Sequence, residues 1–120
     1  TIEYSGAHRP LYVMKNGVID EVKGNKFPIG GGVYKNQTNF TTTKINLQPG
    51  DSVYFSSDGY PDQFGGSEGR KFGSKRVREL VEQVHHLPAK EAIQVFNHEW
   101  ETWRGNQKQT DDVLLIGIKF

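Results

Sequence analysis

The chain has no cysteine. Disulfides, thiolate nucleophiles and cysteine-ligated metals are therefore excluded, and the composition suits a reducing compartment. It has no apolar run near the ~20 residues that span a bilayer, and no signal-peptide pattern is visible in these residues. It has little net charge: Lys and Arg number 15, Asp and Glu 14, for a formal +1. No block of one sign stands out, which argues against nucleic acid, whose phosphates call for concentrated Lys and Arg. The four histidines are scattered and show no zinc spacing. There is no GxxxxGK[ST], no GxGxxG and no GxSxG elbow, so Ser56 and Ser57 are not marked as nucleophiles.

What is present suits one domain, or a piece of one, of 120 residues with 34% hydrophobic and 24% charged side chains. The first half reads as strands. Thr1–Tyr4 is β-favouring, and the loop 6–10 (GAHRP) interrupts it. Leu11–Met14 and Val18–Val22 flank Asn16-Gly17, a hairpin signal because both residues tolerate positive φ. Phe27-Pro28-Ile29 leads into a glycine loop at 30–32. Phe40–Leu47 is threonine-rich and predicts a strand with one wet face. Pro49-Gly50-Asp51 is a turn, and Ser52–Ser57 predicts an inner strand that ends at Asp58-Gly59.

The period then changes. Val77, Leu80, Val81, Val84 and Leu87 make one helical stripe, with Ser74 as its expected N-cap. Ala89, Ala92, Ile93, Phe96, Trp100 and Trp103 make a second, with Pro88 in its first turn and Gly105 as a positive-φ stop. His85 and His86 suit the negative end of the first helix dipole, and His98 lies on the polar side of the second. Between Asp58 and the first helix, Phe64–Phe72 reads as a glycine-rich excursion. Val113–Phe120 is so apolar that it predicts a central, covered strand. Strands, two helices and a returning strand give an α+β layered fold.

Two places could carry chemistry. Asp58 stands where an apolar strand ends and Gly59 lets the backbone turn, a setting for a rigidly held metal ligand or for a self-bonded turn aspartate. Asp111 and Asp112 precede the last strand. Neighbouring carboxylates repel unless a cation or donors offset them, and alternation lets only one enter a given site. If these aspartates converge, oxygen-only ligands point to Mg²⁺ or Mn²⁺; a solvated acidic turn is the alternative. Asp62 and Gln63 could orient water or cap the loop. Glu68, Arg70 and Lys71 suit substrate contact or a solvated loop. His8 and Arg9 could meet a phosphate through the bidentate Arg fork or hold their own loop.

SVYFSSDGYPDQFGG (52–66) and QTDDVLLIGIKF (109–120) resemble the last two blocks of the SpoIIE-type, PP2C-like serine/threonine protein phosphatases of bacteria. YSGAHRPLYVMKNG (4–17), FPIGG (27–31) and FGSKRVREL (72–80) are in register with the same family, so the resemblance covers essentially the whole chain. It implies an α-β-β-α sandwich, present here as its C-terminal portion, and a site of two Mn²⁺ or Mg²⁺ ions that activates water against phosphoserine or phosphothreonine. By resemblance Asp58 and Asp111 are metal ligands and catalytic, with Gly59, Asp62, Asp112, His8 and Arg9 around them. The family's early bridging aspartate has no counterpart here. The expectation is therefore a truncated or processed piece of a longer chain, whose metal site is incomplete alone. Its partner would be the missing N-terminal half, or another copy through an exposed sheet face. The resemblance also implies a phosphorylated protein substrate, such as an anti-sigma-factor antagonist, and a cytoplasmic setting that includes the cytoplasmic part of a sensor or membrane protein. A non-catalytic phosphoprotein-binding module on the same fold is the competing reading.

Overall fold

The structure, a computed structural model, describes residues 1–30 and 39–120. Ten elements follow in order: β1 (Ile2–Tyr4), β2 (Leu11–Lys15), β3 (Val18–Val22), β4 (Thr43–Ile45), β5 (Ser52–Ser56), β6 (Phe64–Gly65), β7 (Arg70–Lys71), α1 (Ser74–Val84), α2 (Ala89–Arg104) and β8 (Leu115–Lys119). Among the described residues, β3-β2-β5-β8 form an antiparallel sheet, β1 pairs with β4, and β6 with β7.

The β2–β3 hairpin follows from its turn. Lys15 pairs with Val18, so the loop is Asn16-Gly17, at φ 52° and 76°. Positive φ at both positions matches the right-handed twist of the strands. The buried Asp51 carboxylate accepts the Asn16 and Gln48 N–H groups and ties this hairpin to the start of β5.

Alternation along the central strands builds two cores. Tyr12, Met14 and Tyr54 face α1 and α2 and join Val77, Leu80, Val81, Val84, Ala92, Phe96 and Trp100. Leu11, Val13 and Val53 face the other way, toward Ile45 and Ile2 of the β1–β4 ribbon. The result is a helix layer, a four-stranded sheet and a second β layer, an α+β arrangement consistent with a PP2C-like architecture.

Several local expectations are corrected. β8 is an edge strand, bonded only to β5 among the described residues, with Leu114, Ile118 and Phe120 exposed. Its apolar composition reported a surface to be covered and did not report its place in the sheet. The Phe40–Leu47 strand shortens to Thr43–Ile45, since β1 offers three partners. The glycine-rich excursion contains the β6–β7 hairpin. Gly73, at φ 91°, is the α1 N-cap, and Ser74 is the first helical residue with no side-chain cap bond. Pro88 stands one place earlier than expected, as the α2 N-cap, its carbonyl accepting the Ala92 N–H. Ala89 is exposed and off the stripe. Gly105 ends α2 at φ 53° as expected. Gly31 and Gly32 of the glycine loop, the first of them also the last residue of FPIGG, lie outside the described residues.

Candidate metal centre

β5 and the segment before β8 reach the same end of the sheet. Ser56 pairs with Leu115, and the Ser57 N–H donates to the Leu114 carbonyl at 2.9 Å. Continuing that register places Asp58 opposite Val113 and Gly59 opposite Asp112. The close approach is real, because a Cβ on Gly59 would stand 2.2 Å from the Asp112 carbonyl oxygen. The Ser57 hydroxyl completes the join by donating to the Asp112 carbonyl (2.9 Å) and accepting from the Leu114 N–H (3.0 Å). The Asp58 turn and the Asp111-Asp112 segment are thus held side by side through backbone groups, which leaves their carboxylates to the surface.

The turn itself is rigid. The Asp62 N–H closes it on the Asp58 carbonyl at 2.9 Å. Tyr60 is buried against Phe72, Phe96 and Trp100, and its hydroxyl donates to the Phe96 carbonyl at 2.7 Å. Burial, and then the Glu99 charge, hold the Tyr60 phenol protonated far above its ordinary range. Buried Gln63 spans the other side. Its Nε2 donates to the Phe64 and Lys108 carbonyls, both at 3.0 Å, and its main-chain carbonyl accepts the Phe72 N–H and the Trp103 Nε1–H. It therefore anchors the loop that arrives at Asp111.

Asp58, Asp111 and Asp112 are all exposed. Asp111 Oδ1 accepts the Asp112 N–H at 2.7 Å, and its carbonyl accepts the Gln109 Nε2–H. Asp62 is set aside from them in an ion pair with Lys71 at 3.5 Å, and Glu68 pairs with Arg70 at 2.9 Å on the β6–β7 hairpin. His8 is exposed at φ 62°, with its N–H on the Asn25 carbonyl.

Arg9 reaches the same end of the sheet, but its observed bonds are structural. The β2–β5 register extended by two pairs puts Pro10 opposite Ser56. Proline has no N–H. The Arg9 Nε–H bonds the Ser56 carbonyl at 3.1 Å, and its Nη2 reaches the Ser56 hydroxyl at 3.4 Å. The side chain thus supplies donors where the strand lacks one. The Arg9 carbonyl accepts the Tyr4 hydroxyl at 2.7 Å and lies where side chains on Gly6 or Gly24 would clash.

The oxygen-only character of the aspartates suits a hard divalent cation. Such a cation takes six or more oxygens, and among the described residues no group of three or more His, Cys, Asp or Glu is placed to hold one. The residues fit one wall of a metal centre and do not make a whole one.

Sequence reasoning singled out Asp58, Gly59, Asp111 and Asp112 as candidates, and the structure brings their segments together. It missed Ser57 as the clamp, whose partners lie 55 and 57 residues away. A polar residue at the last step of an apolar strand is the signal that marks it.

An antiparallel sheet under two helices, backed by a second β layer, is the layered α+β arrangement of a PP2C-like fold. The family of Stage II sporulation protein E (SpoIIE) matches residues 1–120, and the chain belongs to that family. The SiaA-PP2C domain of Pseudomonas aeruginosa superposes with a TM-score of 0.87 at 29% identity, over 98% of this chain and 46% of that one. The chain thus spans about half the length of that solved structure. No curated protein sequence matches it. No helix among the described residues is long and apolar enough to cross a membrane.

Proposed function

We propose that residues 1–120 are the C-terminal part of a PP2C-like protein phosphatase domain. Asp58 and Asp111 would ligate Mn²⁺ or Mg²⁺ jointly with groups outside this chain. The observation that carries this is the lock between the two segments by Ser57 and Gly59, which fixes two strand-end carboxylate sites that, among the described residues, no basic side chain bonds. A pair of such ions, when bound, supplies a water of lowered pKa and neutralises phosphoryl charge during in-line attack on phosphoserine or phosphothreonine. Asp112 contributes its carbonyl to the Ser57 clamp and so positions Asp111. Gly59 permits the close approach. Tyr60 and Gln63 keep the turn and the incoming loop from moving. The substrate is a phosphorylated protein of the anti-sigma-factor-antagonist class.

Removing a ligand without disturbing the fold tests this. In a longer protein that carries this chain as its C-terminal part, Asp58→Asn and Asp111→Asn should each lower Mn²⁺-dependent hydrolysis of a phosphoserine peptide by about 100-fold or more, with melting temperature nearly unchanged. Full activity in either variant would overturn the assignment. The lack of a three-ligand group among the described residues favours a second reading, a non-catalytic phosphoprotein-binding module. Peptide binding with no turnover in the longer protein would select it.

A further inference from the structure

The outward side of the helix pair carries none of the candidate metal ligands. Val77, Val81 and Val84 of α1 and Ala92, Phe96 and Trp100 of α2 turn inward to the core. Away from the sheet, a groove with two wells runs between the helices, and Gln83 and Glu99 line both wells. The first well, of about 400 Å³, has Phe72, Leu80 and Trp103 as its apolar floor. The second has Leu87 and Val95. Val95 and Trp103 stand eight residues apart on α2, so the wells lie about 12 Å apart at ~1.5 Å per residue.

Trp103 is held in place. Its Nε1–H bonds the Gln63 and Arg70 carbonyls, each at 3.2 Å, and the Phe72 ring meets it edge-on at 5.9 Å. The Arg76 guanidinium lies 4.2 Å from the Trp103 ring centroid, so the first well already seats one organic cation on its aromatic face. Around that cation the charge is unbalanced. Glu79 and Glu99 line the same well as Arg76, and Glu91 lines the second beside His98. None of these three glutamates has an ion pair among the described residues. Glu91 stands in the first turn of α2, where the helix dipole favours it. Glu79 and Glu99 stand in mid-helix and have no such offset.

We propose that the α1–α2 groove docks a basic amphipathic helix of a partner protein. Two apolar side chains of that helix, seven or eight residues apart, enter the two wells, and its Lys or Arg side chains meet Glu79, Glu91 and Glu99. Each part of this occupant answers an observation. The walls are helices and offer no free strand edge, so an extended peptide would leave its own N–H and C=O groups unpaired, whereas a helix satisfies them itself. The spacing of the wells sets the spacing of the anchors. Three carboxylates against one fixed cation, Arg76, set the sign of the charge, and they repel nucleic acid and anionic lipid alike. The groove lies apart from Asp58 and Asp111, so the inference stands independently of the phosphatase reading.

The test uses a longer protein that carries this chain and a fluorescein-labelled helical peptide of about 18 residues, long enough to hold helix in water. The peptide is alanine-rich, with two leucines seven residues apart and lysines flanking them, and anisotropy follows its binding. The expected result is saturable binding that weakens at least about tenfold in Glu79→Gln/Glu99→Gln and falls as salt screens the charges. Gln83→Trp, which fills the junction of the wells, should abolish it. All three positions are exposed, and melting temperature checks that each variant folds; should Gln83→Trp unfold, the glutamine pair decides. No binding, equal binding of a peptide with Glu in place of Lys, or binding untouched by the glutamine pair would each overturn the proposal. Activity on a phosphoserine peptide is read separately, so loss of either reading leaves the other standing.

Discussion

At the scale of single residues, the site depends on a missing side chain. Gly59 lies against the Asp112 backbone, and a methyl group there would stand 2.2 Å from the Asp112 oxygen. Backbone cannot swing away as a flexible side chain can, so Gly59→Ala must part the two segments. The expected cost is about 1–3 kcal/mol, read by chemical denaturation. It should be accompanied by weakened Mn²⁺ binding in the completed domain; a variant with unchanged stability would show that the segments part freely. Tyr60 makes a second prediction. Its folded pKa is raised by burial and by Glu99, and those of Tyr54, Tyr12 and Tyr4 are raised as well, burial leading in each. A raised acid pKa means that the unfolded chain releases protons first. The contribution is intact below the ordinary tyrosine value of about 10 and is lost as pH rises above it. Melting temperature should hold steady from about pH 7 to 9 and fall above 10, less steeply in Tyr60→Phe. That variant also loses about 0.5–1.5 kcal/mol with its bond to the Phe96 carbonyl. Equal slopes would remove Tyr60 from the account. Asp58-Gly59 was legible in the sequence because a strand end and a sharp turn are local. The partners of Ser57 and Gln63 were not legible, because they come from the far end of the chain.

At the scale of elements, local signals gave the β2–β3 hairpin and both helical stripes, since turn chemistry and the 3.6 period need only near neighbours. The β6–β7 hairpin escaped because strands of two residues carry no alternation. The position of β8 escaped because hydrophobicity states that a strand is to be covered and says nothing about which neighbour covers it. The β2–β5 pairing shows the same limit. Pro10, just before β2, has no N–H to offer Ser56, and the repair comes from the Arg9 side chain, a contact between residues 47 apart. Arg9→Ala should strand the Ser56 carbonyl and cost about 1–3 kcal/mol. Arg9→Lys, with its single flexible ammonium group, should recover part of that. Urea denaturation of both variants measures it. A neutral Arg9→Ala that instead raised KM for a phosphopeptide would return Arg9 to the phosphate-binding role.

At the scale of the whole molecule, two carboxylate segments are held together by a fold that, among the described residues, leaves the β8 edge unpaired and its outer face exposed. Hard-cation affinity follows the number and charge of the oxygens supplied, so a single wall should bind Mn²⁺ only weakly, with Kd near or above 1 mM. A ligand that binds the folded state alone stabilises it by RT ln(1 + [L]/Kd), about 0.4 kcal/mol when concentration equals Kd. For a chain of this size that is a rise of about 1–3 °C. Addition of 1 mM Mn²⁺ to the isolated chain should therefore move its melting temperature no further than that, and Asp58→Asn should remove even this small rise. The completed domain should respond more strongly, because the second wall adds charged oxygens without new ordering of the first. A rise above about 5 °C in the isolated chain would require a Kd far below 1 mM and ligands beyond Asp58 and Asp111. In that case these 120 residues, as one copy or several, build the whole centre themselves.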